Sequence, residues 1–75
     1  MEFEKLQMII AEILSVKPES IKKEMSFTDD LGADSLELFQ IVMGVEEEFD
    51  IIIQDGDKEN IKTVDDLVKV ISNGL

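Results

Sequence analysis

Residues 31–49 read LGADSLELFQIVMGVEEEF, and the fold turns on how this stretch is taken. Asp34 and Glu37 stand three apart, directly ahead of an apolar run. In that spacing each carboxylate can accept the other residue's backbone N–H, so the pair predicts a helix start with Asp34 as the cap. Beyond it Leu38, Ile41, Val42, Val45 and Phe49 fall in one arc at 100° per residue, enough for a core-facing stripe. The helix is expected to end near Phe49. It crosses Gly44, a residue that costs on the order of 1 kcal/mol relative to alanine in a helix interior, so packing must hold that turn.

Outward from this helix the chain shows two more amphipathic segments. Phe3, Leu6, Ile9, Ile10, Ile13 and Leu14 keep a helical period over roughly Glu2 to Ser15, and Pro18 bars any continuation. Val64, Leu67, Val68 and Ile71 do the same near the C-terminus, with Thr63 as cap, Asp65 and Asp66 in the favourable first turn, and Asn73-Gly74 as the expected stop. Between the first two helices, residues 16–34 carry only isolated apolar residues: Val16, Ile21, Met25, Phe27 and Leu31. They suit a long loop pinned to a core, and loops of that length are often functional. The isoleucines of IIIQDGDKEN have no second run to pair with, so a loop is expected there, then a short helix over Asp57 to Ile61. The whole reads as an all-α bundle of three main helices plus one short helix, a single domain over residues 1–75.

Composition narrows the function. The chain has no cysteine and no histidine, so disulfides and thiolate or imidazole metal sites are absent. Eighteen acids against seven lysines leave a net charge of −11. Such a chain repels nucleic acid and anionic lipid and is steered toward basic protein surfaces, although the same charge also serves solubility. No apolar run approaches the ~20 residues needed to span a bilayer, so a cytoplasmic protein with no membrane insertion is expected.

The middle helix is apolar on a second side. Leu36, Phe39 and Met43 fall opposite the core stripe, beside Gln40, Glu46 and Glu47. A solvated outer face belongs there. Either these side chains fold under the long loop and enlarge the core, or they form a docking strip with an acidic rim. Phe39, nearest the core edge, is assigned to the core; Leu36 and Met43 are assigned to docking.

Ser35 has no partner for nucleophilic chemistry, which needs a base such as histidine. By itself it is a helix-start residue. It is also placed where the free N–H groups and partial positive charge of a helix start would suit a phosphate attached by another enzyme.

DDLGADSLEL, followed by IVMGVEEEFD, resembles the acyl carrier protein family around the serine that receives 4′-phosphopantetheine. The similarity extends over almost the whole chain: EKLQMIIAEIL, VKPESIKKEMSFTDDLGADS and IKTVDDLVKVI all fall in the family's order and spacing. The resemblance implies a non-catalytic carrier and a monomer. A phosphopantetheinyl transferase would move the arm from coenzyme A onto Ser35. Acyl groups would then travel as thioesters among ketosynthases, reductases, dehydratases and acyltransferases of fatty-acid biosynthesis. It further implies partner recognition through Leu36, Glu37, Met43, Glu46 and Glu47, and an acyl pocket lined by Phe27, Phe39, Val42 and Ile61. Gln40, Gly44, Ile52 and Gln54 depart from the commonest family pattern, which bears on the partners served and leaves Ser35 untouched. Polyketide or aminoacyl cargo is the alternative within the same fold.

A non-carrier acidic helical interaction module or a calcium-binding module is the alternative from another class, the calcium reading being suggested by QDGDKEN. With Gly56 at the sixth position of an EF-hand loop, positions one, three and twelve would be Ile51, Ile53 and Lys62. None of these supplies a carboxylate, so the loop cannot ligate calcium in that register.

Overall fold

A computed structural model describes residues 2–74. In chain order it contains α1 (Glu2–Leu14), a 3-10 turn (Pro18–Ser20), α2 (Ser35–Phe49), α3 (Asp55–Glu59) and α4 (Val64–Gly74). Three main helices, one short helix and a long first connection are what the sequence predicts. Leu6 and Ile10 of α1, Ile41 and Val45 of α2, and Val64, Leu67 and Ile71 of α4 are fully buried together. The predicted stripes therefore meet one another, and burial of aliphatic side chains supplies the main drive to fold.

Both capping predictions hold. Glu37 N–H donates to Asp34 Oδ1 at 2.8 Å, and Asp34 N–H donates to Glu37 Oε1 at 3.1 Å. At α4, Asp66 N–H donates to Thr63 Oγ1 at 3.1 Å, while Asp66 Oδ2 accepts the N–H groups of Thr63 and Lys62, each at 3.0 Å. The Lys62 and Thr63 amides hold the Asp66 carboxyl below its ordinary value, against a weaker opposing effect of burial. A lowered pKa adds stability that is complete above the unfolded value, 3.8, and lost as pH falls through the folded one. Asp66→Ala is therefore expected to cost about 1 kcal/mol at neutral pH. Denaturant melts should show the gap to the parent narrowing below pH 4; a gap constant down to pH 2 would refute this account of the cap.

The long loop is more ordered than its lack of period suggests. Ile21 and Phe27 are fully buried, Met25 and Leu31 half-buried, and Val16 stays at the surface. Beyond the 3-10 turn, the loop binds the segment that enters α4. Phe27 N–H donates to the Lys62 carbonyl, Val64 N–H to that of Met25 and Asp65 N–H to that of Lys23, at 3.0, 3.0 and 2.8 Å. Ser26 and Thr63 form an isolated antiparallel bridge within this seam.

Three boundaries differ from expectation. α1 ends at Leu14 because Ser15 takes a left-handed conformation (φ 58°) and Val16 N–H turns back to the Ala11 carbonyl, three residues before Pro18 acts. α3 starts two residues earlier and ends two earlier than predicted, because Ile61 leaves the helix to be buried in the core. α4 continues through Asn73 and Gly74, where a Cβ on Gly74 would stand 3.3 Å from Ile51. Gly44 has the packing reason the sequence demanded: a Cβ there would meet Ile9 Cγ2 at 3.1 Å, so α1 approaches α2 closely at this turn.

Candidate functional site

The approach to Ser35 is built residue by residue. Gly32 takes φ +68°, a conformation that favours glycine, and turns the chain toward α2. Ala33 is buried, and its N–H donates to the Phe27 carbonyl at 2.8 Å, fixing the end of the loop. Asp34 spends its carboxylate on the cap. Ser35, the first residue of α2, is left exposed and outside the capping box.

Beside it lies a cleft of about 130 Å³ lined by Ser35, Leu38, Phe39, Val42 and Lys58. Of the four residues proposed for an acyl pocket, Phe39 and Val42 line this cleft. Phe27 and Ile61 are buried in the core and do not line it. Leu38 and Lys58 line it without having been anticipated. Lys58 was legible only as the lone cation of an acidic segment.

Phe39 corrects the sequence reading. It was assigned to the core, yet 51% of it is exposed, and its ring faces Lys58 Nζ, 5.7 Å from the centroid. The side of α2 that carries Phe39 is met by α3, and α3 offers a lysine there rather than an apolar residue.

Leu36 and Met43 are 66% and 46% exposed, which is where the helix wheel put them. Ile52, 84% exposed, stands beside Met43 on a shallow groove that also includes Glu46, Glu47 and Asp50. The apolar strip thus extends past the end of α2. Its acids do unequal work: Glu37 belongs to the capping box, and Glu46 Oε2 accepts the Ile53 N–H at 2.8 Å, pinning the chain after α2. Glu47 is exposed, and Glu48 lies 3.9 Å from Lys5.

Three consecutive glutamates on a chain of net charge −11 repel one another. Salt screens exposed charges, so raising sodium chloride from 0.02 to about 0.5 M, or adding millimolar magnesium, should raise the melting temperature. Calorimetric scans that respond to neither would contradict this electrostatic picture.

Ser35 has no histidine or cysteine to activate it, and among the described residues no group of three or more acids could hold a metal ion. The site is a capped helix start that presents an exposed serine beside a largely apolar cleft. A family model described as a phosphopantetheine attachment site matches residues 4–71. The acyl carrier protein of Bdellovibrio bacteriovorus is 51% identical over 67 residues, covering 89% of this chain and 86% of its own. That of Clostridium perfringens is 49% identical over 70 residues, covering 93% and 92%. A Mycobacterium tuberculosis structure assigned as an acyl carrier protein superposes with a TM-score of 0.94 at 37% identity over the full length of both chains. The chain belongs to the acyl carrier protein family, whose members are non-catalytic carriers of a covalently attached 4′-phosphopantetheine.

Proposed function

We propose that Ser35 is the attachment point and that the chain, as one domain and a monomer, carries acyl intermediates of fatty-acid biosynthesis in the cytoplasm. The observation that carries this reading is the exposed Ser35 hydroxyl, free of the capping box, at the mouth of the cleft. A phosphopantetheinyl transferase supplies the catalysis. The serine oxygen bonds to the phosphorus of coenzyme A that bears the pantetheine, the pyrophosphate bond breaks, the adenosine bisphosphate leaves and the transferase takes the serine proton. The bound group contributes the thiol that the cysteine-free chain lacks, and acyl groups are held there as thioesters.

The chain's own residues support the remaining steps. Phe39, Leu38 and Val42 offer apolar surface to the start of an acyl chain beside Ser35. Leu36 and Met43 form the exposed apolar centre of the partner face, with Glu47 as its free acid and Glu37 and Glu46 contributing charge from their structural positions. An apolar centre with an acidic rim fits synthase enzymes whose docking surfaces are lysine- and arginine-rich.

The test is to load the chain with coenzyme A and a broad-specificity transferase, then follow intact mass with malonyl transferase and ketosynthase present. Successive gain of the arm, a malonyl group and an elongated acyl group is the expected course. A loaded chain that takes aminoacyl units from adenylating ligases but no malonyl group would move it to a specialised pathway.

A further inference from the structure

The cleft beside Ser35 carries one positive charge that the carrier role does not require. Lys58 sits on α3 among Asp55, Asp57 and Glu59, and a lysine there could simply extend into water. Instead its side chain is 29% exposed, with Nζ over the Phe39 ring and 3.7 Å from Asp55 Oδ1. Neither neighbour explains the posture. The Asp55 side chain is fully exposed, so its pairing is screened by water and contributes little. The contact with Phe39 is a single cation–π pair at a wet surface, also weak.

The start of α2 is otherwise anionic: Asp34 and Glu37 place two carboxylates there, and Asp55 stands beside Lys58 on α3. A phosphodiester on Ser35 adds another negative charge at this point, in a chain already at −11. Among the described residues, Lys58 is the one cation that lines the same cleft as Ser35. An ammonium held loosely by a solvated carboxylate, within a cleft this small, has a stronger partner in a phosphate.

We propose that Lys58 is a positioning residue for the prosthetic arm: its ammonium leaves Asp55 for the Ser35 phosphodiester and holds the arm's first segment against α3 and the Phe39 ring. This rests on Ser35 being the attachment point. The exchange also draws the lysine off its place over Phe39, baring the ring to whatever the arm carries. The arm is thereby biased toward the cleft rather than spread through solvent.

The experiment compares the loaded parent with loaded Lys58→Ala and Lys58→Arg, each first confirmed by mass to carry the arm on Ser35. The 31P resonance of the phosphodiester is read at low salt and in 0.5 M sodium chloride, and a nitroxide on the arm thiol reports proximity through broadening of backbone amides. In the parent and Lys58→Arg, the 31P line should move with salt and amides of residues 55–61 should broaden. In Lys58→Ala the line should sit near the high-salt position of the parent, with that broadening at least halved. Identical 31P positions and broadening patterns in all three would overturn the role of Lys58 while leaving attachment intact. Failure of the parent to load on Ser35 would remove both readings at once.

Discussion

Ser35→Ala should fold and melt like the parent yet take up no phosphopantetheine. The hydroxyl is no part of the bonds that start α2, which run between Asp34 and Glu37. Alanine is the best helix former, so stability should stay within about 0.5 kcal/mol of the parent. What disappears is the oxygen proposed as the acceptor. Intact mass after incubation with coenzyme A and a transferase therefore separates the two variants completely, whereas circular dichroism does not. Asp34→Ala is the informative contrast, since losing a capping residue costs about 0.5–2 kcal/mol while the acceptor hydroxyl remains. Uptake by Ser35→Ala would place the attachment elsewhere and reduce LGADSLEL to a well-capped helix start.

Phe27→Ala should be the most damaging of the single core truncations. Its side chain is the largest of those fully buried, and its backbone carries two of the loop's bonds, to Lys62 and from Ala33. Truncating a buried phenylalanine costs about 3–5 kcal/mol. A small domain holds only about 5–15 kcal/mol in total, so the variant should stand near the edge of folding at 37 °C. The loss should be felt at the site as well, because Ala33 and Gly32 reach Ser35 from the carbonyl of Phe27. Urea melts on parent and variant measure it directly; a loss under 1 kcal/mol would mean that the loop is not anchored there.

How much of this was legible beforehand depends on the range of each interaction. The capping box at Asp34 and the Thr63 cap were, because their chemistry closes within three residues; the return bond from Thr63 N–H to Asp66 was not. So were the three helical stripes and the outward placement of Leu36 and Met43, which follow from helix period alone. Phe39 was not, since its environment is decided by where a separate segment lands. The start of α3 escaped for a local reason: Gln54 makes no side-chain bond to cap it, so no signal marks the boundary. Lys58 went unread, because its place at the cleft depends on how α3 lies beside α2. The seam between the long loop and the entrance of α4 joins residues nearly forty apart, and its backbone bonds leave no trace in side-chain pattern. Glu46 appeared only as a rim acid, while its bond to the Ile53 amide depends on how the chain turns after α2.

That seam has a mechanical consequence. It ties the road into α2 to the road into α4, and α1 packs against both of those helices. α3 stands outside the tie: it buries no residue of its own and hangs between two pegs, Ile53 and Ile61. Segments with so little buried surface open at the smallest cost in free energy. The fold therefore resembles a three-sided box whose one loosely held panel is α3, the helix expected to open first.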